Sequence, residues 1–249
     1  MTLLSALDAE RIKLLTVRST WWSAAVAAVL SLAIAGLQAS AAYDYERLDT
    51  TTAAMGVVVF GVPVLMVLSA MTLTGEYRSS MIATTFLAMP RRAVVMAAKA
   101  VVAAVFSGVI AVVMVLGSVG VARVVAAPEV GRNVAADIWP TAGGIALYAA
   151  LAAVLGIGVA GLVRHTAGAV AALLLWPLLV EPLLSNLPGR GPQIGPYLPF
   201  ANMYRFLDVS WLFPTYAVPW GAVGSLLYFA GLAALIFAAA VVMVDRRDA

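Results

Sequence analysis

The chain has 249 residues, of which 63% are hydrophobic and only 11% charged, with a mean hydropathy of +1.01 and a formal net charge of +3. A soluble domain carries roughly a quarter charged residues, so this composition excludes a water-soluble globular protein. The absence of cysteine excludes disulfides, cysteine nucleophiles and thiolate metal sites.

Residues 3–20 hold no helix breaker and predict an interfacial elbow helix within 1–21. Wound as a helix, Leu3, Leu7, Leu14 and Trp21 share one face, Arg11 and Arg18 lie close to it, and Glu10, Lys13, Thr16 and Thr20 fall elsewhere. Six apolar segments follow, over 22–42, 53–73, 93–122, 141–163, 167–184 and 220–244. Each approaches or exceeds the ~20 residues that cross a hydrocarbon core of ~30 Å. They are read as helices, because a lone strand would leave backbone groups unpaired in lipid. The fold class is therefore all-α: a single polytopic transmembrane domain with six membrane helices. Ala39-Ser40-Ala41 loosely resembles a cleavage site, but the apolar run is too long for a signal core, so the first segment is read as a retained helix.

The connections differ in character. The loop 43–52 is short and acidic, 123–140 is polar, and 164–166 is a tight turn. The stretch 185–219 carries six prolines among aromatic residues, which forbids one long helix and predicts short re-entrant or interfacial elements before the last span. If the N-terminus is cytoplasmic, ten Lys and Arg lie inside and five (Arg47, Arg123, Arg132, Arg190, Arg205) outside. The positive-inside rule then places both termini in the cytoplasm. It also accounts for the basic balance, so no nucleic-acid partner is expected.

Catalytic chemistry finds little to work with. The only lysines, Lys13 and Lys99, follow Ile12 and Ala98, so no phosphate-cradling Gly-Lys-Ser/Thr loop exists. Nucleophile-elbow and His-Glu-x-x-His patterns are missing as well. The single histidine, His165, lacks partners at ligand spacing and reads as a polar turn residue; no catalytic residue or metal site is expected. Lys99, about two turns into the third segment, is expected to snorkel to the surface. Glu181, near the outer end of the fifth, is a possible pathway residue or an interfacial structural one. The spacing Ala152, Gly156, Ala160 predicts close helix packing.

The connection 74–92 stands out, with charges at both ends of a mostly apolar stretch. In a helix Ile82, Phe86 and Met89 share one face and Met81, Thr85 and Ala88 a neighbouring one, with Pro90 ending it. Such a helix suits either a groove in a partner or the lipid headgroups.

Three places together resemble the membrane (permease) subunit of type-2-class ABC transporters, six-helix actinobacterial members in particular. They are Glu10-Arg11-Ile12-Lys13 through Trp22, then Gly75-Glu76-Tyr77-Arg78 with Thr84-Thr85, Pro90-Arg91-Arg92 and Ala98-Lys99, and last Tyr197-Leu198-Pro199-Phe200. Ser79-Ser80-Met81 departs from the Gly- or Thr-rich turn expected there. The resemblance implies a plasma-membrane exporter of a hydrophobic or amphipathic substrate, itself without nucleotide, that pairs with a second permease subunit, identical or different. Each would dock a cytoplasmic ABC ATPase that holds ATP and Mg. By position, Glu76, Tyr77, Arg78, Ile82, Thr85, Phe86, Met89, Arg91 and Arg92 would form the coupling segment, and Arg11 and Arg18 would brace the elbow. An ion-coupled carrier, which usually needs buried central carboxylates, and a non-transporting scaffold or sensor are the other classes open to such a chain.

Overall fold

A computed structural model describes residues 3–42, 48–89, 91–127, 134–209, 212–214 and 218–247. Among them the regular structure is all helical, and six helices are long and apolar enough to cross a membrane, as the sequence predicts. Arg47, Pro90, Arg132 and Trp211, named above or within the loops discussed, lie outside the described residues.

The N-terminal helix α1 (Leu3–Thr16) is separate from the first span α2 (Arg18–Ala41), where the sequence predicts one unbroken run to residue 20. Val17 is extended (φ −78°, ψ 117°), and the indole Nε1 of Trp21 donates to Leu15 O at 2.9 Å, satisfying a carbonyl that the break exposes. A one-turn helix α3 (Thr50–Ala53) then forms within the stretch expected to be loop, because Asp49 Oδ1 accepts from Thr52 N and caps it. A π-helical turn (Val57–Gly61) leads into α4 (Val62–Arg78), a short helix α5 (Met81–Ala88) follows, and α6 (Arg92–Val125) runs for 34 residues, about 51 Å. The last is longer than its predicted segment at both ends.

The next span α7 (Ile138–Val163) turns through Arg164, at φ 55°, into α8 (Thr166–Leu175). His165 caps α8, its Nδ1 accepting from Gly168 N at 3.2 Å, which is the turn role expected of it. Pro177 and Pro182 remove backbone donors from the fifth span. The helix passes them through a π-helical turn (Trp176–Val180) into α9 (Glu181–Ser185). The proline-rich stretch makes only short pieces, α10 (Gly191–Ile194), a 3₁₀ turn (Gly195–Tyr197) and α11 (Pro199–Phe206), before the last span α12 (Ala222–Arg247).

The bundle centres on α4 and α7, the most buried spans, while α2, α8–α9 and α12 expose most of their surface. Leu65, Met66, Ile145, Ile157 and Phe229 form the fully buried middle. Lipid tails are as apolar as these side chains, so close packing rather than water exclusion holds the spans together. Gly156 shows how close: a Cβ there would lie 2.4 Å from Met66 O. With Ala152 and Ala160 fully buried on the same stripe, this is the tight contact predicted from the small-residue spacing.

Both described chain ends lie at one end of the bundle, with α5 and the roots of α4 and α6. Arg92 Nη1 donates to Val244 O at 3.1 Å and Asp245 O at 3.3 Å, and Arg164 Nη2 donates to Met243 O at 3.4 Å. Two guanidinium groups thus serve the carbonyls near the C-terminus of α12, where the helix dipole favours positive charge.

Candidate functional site

The termini end is built around charge. Lys99, on α6, is 2% exposed, so it does not snorkel as the sequence reading expected. It donates to Glu10 Oε2 of α1 at 2.5 Å and to Glu76 Oε1 of α4 at 3.0 Å. Lys13 donates to Glu10 Oε1 and to Glu76 Oε1, both at 2.9 Å. The four side chains close a neutral ring, Lys99–Glu10–Lys13–Glu76, that ties three helices together. Glu10 and Glu76 are 6% and 7% exposed. A charge so buried is tolerated only when paired and hydrogen-bonded.

The ring also explains the orientation of α1. Ala6, Glu10 and Leu14 are its buried residues, and it lies along α6. Of the apolar face read from the sequence, Leu14 is buried and Leu7 is half-buried against the cluster of Ala6, Met89, Val95 and Ala98, whereas Trp21, beyond the break, is exposed, as are Leu4, Ile12 and Leu15 outside that face. Glu10 and Lys13, placed there off the apolar face, are the residues that sequence reasoning missed. Two signals were present: their i, i+3 spacing, and a membrane lysine, which calls for a counter-charge. Burial alone would raise the Glu10 carboxyl, but the charges and hydrogen bonds of Lys99 and Lys13 outweigh it and hold the group below its ordinary 4.5. Burial likewise works against the Lys13 ammonium, and its bonds to Glu10 and Glu76 win, raising it above 10.5. Among the described residues Arg11 pairs only with Asp8, at 3.7 Å on the surface, a contact worth little. Arg18 stands exposed at the start of α2.

Beside the ring, α4 ends at Arg78, and Ser79 Oγ donates back to Gly75 O at 2.9 Å. Ser80 then takes the left-handed conformation (φ 59°), which turns the chain sharply into α5. Glycine adopts this conformation without cost. Here a serine holds it, at the place where the expected motif differs. Within α5, Ile82 and Phe86 are half-buried against the bundle, and Met89, just past its end, is buried with Ala6, Val95 and Ala98. The face expected to be exposed thus packs on its own chain, and the outward side shows Met81, Ala83, Thr84 and Leu87 instead, Leu87 at 82% exposure. Tyr77 lies under the Arg164 guanidinium and Phe86 under that of Arg92, at 5.3 and 5.2 Å from the ring centres. Thr85 is half-buried, its hydroxyl donating to Met81 O at 3.1 Å. Of the residues assigned to the coupling segment, Arg78 and Arg91 remain exposed and Glu76 is locked in the ring.

Glu181 sits far from this cluster in the chain, fully buried where α9 meets α11. Its Oε1 accepts from Trp176 Nε1 at 2.8 Å, and its Oε2 from Phe200 N at 2.8 Å and Ala201 N at 3.1 Å. The last two are first-turn amides of α11, so the carboxylate caps that helix. Both oxygens are occupied by the protein itself, which gives Glu181 a bracing role. Asn202 Nδ2 donates to Pro196 O and Leu198 O, and its Oδ1 accepts from Trp220 Nε1, all at 2.9 Å. Among the described residues no cluster of His, Cys, Asp or Glu is arranged to hold a metal ion. In comparisons with protein-family models and with curated proteins, nothing matches this chain.

Proposed function

We propose that this chain is the membrane-spanning permease subunit of an ATP-driven ABC exporter that moves a hydrophobic or amphipathic substrate, with its termini cytoplasmic. The observation that carries the proposal is the placement of α5. It is an eight-residue helix between the roots of α4 and α6, with Met81 and Leu87 turned outward at the end of the bundle that bears both described termini. The salt-bridge ring joins those same two roots to α1. A push on α5 by a soluble ATPase would therefore reach two spans and the elbow helix as one body. The resemblance of 10–22, 75–99 and 197–200 to type-2 permeases supplies the ATPase and the second permease subunit. In the proposed assembly α10 and α11 are the re-entrant elements, and the plasma membrane is the location.

The test is purification of the tagged chain in mild detergent from its native host. A stoichiometric soluble ATPase is expected to accompany it, and Leu87→Glu combined with Met81→Glu is expected to release that ATPase while thermal stability stays within about 0.5 kcal/mol. A chain that comes out alone under several mild conditions would overturn the proposal. Transport driven by a proton gradient without ATP would do the same and point to the ion-coupled carrier.

A further inference from the structure

The outward side of α5 carries a charge pattern as well as an apolar one. Arg78 lies three residues before the helix and Arg91 three residues after it, so an eight-residue helix about 12 Å long is bracketed by cations. Both guanidinium groups are exposed, and neither enters an ion pair among the described residues. Between them Met81 and Leu87 are exposed, with Ala83 and Thr84 on the same side. The acids of this end face other groups: Glu10 and Glu76 the ring lysines, and Asp8 Arg11. Asp245, exposed near the end of α12, pairs with neither arginine among the described residues. Arg91 is also poorly placed for its own helix. It is the N-cap of α6, makes no side-chain capping bond, and sets positive charge where the helix dipole favours negative charge. The bias toward basic residues on the cytoplasmic side would be met as well by an arginine elsewhere in this connection. A carboxylate brought up from outside would offset both that guanidinium and the dipole.

We infer that the ATPase groove receiving α5 has an apolar floor for Met81 and Leu87 and a carboxylate at each end, one for Arg78 and one for Arg91; the inference rests on the transport proposal. The residues that meet the partner are then not the apolar face read from the sequence. Ile82, Phe86 and Met89 pack on the chain itself, and Glu76 belongs to the ring. The apolar centre supplies the held contact, while the two rim charges set the register of the helix in the groove and speed encounter.

The test uses the full chain with the ATPase that accompanies it in mild detergent. Raising salt from about 0.1 M to about 1 M shortens the screening length from about 10 Å to about 3 Å and is expected to weaken retention of the ATPase. Arg78→Glu with Arg91→Glu is expected to weaken retention at least about tenfold at low salt, and added salt should then strengthen it, because like charges face each other. Arg91→Glu puts negative charge at the start of α6, so the thermal midpoint of the chain alone is expected not to fall, which separates lost docking from unfolding. Arg78→Lys and Arg91→Lys keep the charge and supply an amine, which a carbodiimide joins to a touching carboxylate as an amide, with urea leaving. The chain's own lysines, Lys13 and Lys99, are held in the ring, so peptides linking positions 78 and 91 to Asp or Glu of the ATPase are expected above a low background. Retention lost with Met81→Glu and Leu87→Glu but unchanged by the double arginine reversal would overturn the carboxylate rim and leave the transport proposal standing. The same reversal lowering binding to phosphatidylglycerol vesicles, with ATPase retention unchanged, would assign both arginines to lipid and overturn the rim. A chain that carries no ATPase would overturn the transport proposal and the rim with it.

Discussion

The two ends of this bundle solve one problem in different ways. Each buries carboxylate in a membrane protein, but at the termini end Glu10 and Glu76 face the ammonium groups of Lys13 and Lys99. Around Glu181, by contrast, the donors are neutral: an indole and two backbone amides at a helix start. Opposite charges on three different helices make a strong tie that fails badly when one member is lost. Dipolar donors hold a carboxylate more gently, and the loss is shared among several bonds. The difference suits the proposed roles, a stiff block that transmits force at one end and a braced but adjustable set of short helices at the other.

The sharpest way to break the comparison is Lys99→Met. It leaves Glu10 and Glu76 buried with only the half-exposed Lys13 between them, and is expected to cost about 3–5 kcal/mol in detergent unfolding. Adding Glu10→Gln and Glu76→Gln to it should restore most of that loss, because the destabilisation lies in unpaired charge. If the triple variant is no better than the single one, the ring is not the cause. Glu181→Ala is expected to cost about 1–3 kcal/mol by orphaning three donors. The conservative Glu181→Gln should cost less than Glu10→Gln, since it turns an amide NH2 against one neutral donor set, whereas Glu10→Gln removes the charge that compensates two ammonium groups. The reverse order would erase the distinction between the two ends.

Acidity and alkali offer a finer probe of the termini end. Glu10 has a folded pKa below 4.5, so its contribution is full above that value and lost as pH falls through the lower folded one. Lys13 has a folded pKa above 10.5, so its contribution is full below that value and lost as pH rises through the higher one. The ring therefore supports stability across the whole interval between 4.5 and 10.5 and weakens outside it on both sides. A thermal-midpoint profile from about pH 4 to about pH 11 should show both arms. Lys99→Met should flatten the acid arm, because it removes the charge that most strongly lowers Glu10.

How far the molecule was legible in its sequence follows from the range of each interaction. The six spans depend on local hydropathy and were readable, as was the Ala152–Gly156–Ala160 contact, which rests on side-chain size along one helix. The Glu10–Lys13 spacing and the lysine within a span were signals of the ring, but its closure was not readable, because Glu10, Glu76 and Lys99 lie far apart in the chain and only the bundle brings them together. With no counter-charge in view, a lysine in a span reads as a snorkelling one. The break at Val17 carries no proline or glycine signal, since it is set by packing of α1 on α6 and by the Trp21 hook. For α5 the periodicity identified a helix, but whether its apolar face meets a partner or its own bundle is a tertiary fact.

The smallest effect expected is also the most local test of the opposite end. Trp220 stacks on Tyr228 with ring centres 5.4 Å apart and meets the edge of Tyr197 at 6.0 Å, while its Nε1 donates to Asn202 Oδ1. Trp220→Phe keeps an aromatic ring for both contacts and removes the hydrogen bond alone. Asn202 Nδ2 still donates to Pro196 O and Leu198 O, so the amide stays anchored on one side. The expected cost is about 1 kcal/mol, seen as faster amide exchange through Pro199–Phe206 with no change at the termini end. Faster exchange around Glu10 and Lys99 as well would mean that the two ends unfold as one unit. The proposed division between a stiff block and an adjustable brace would then have no energetic basis.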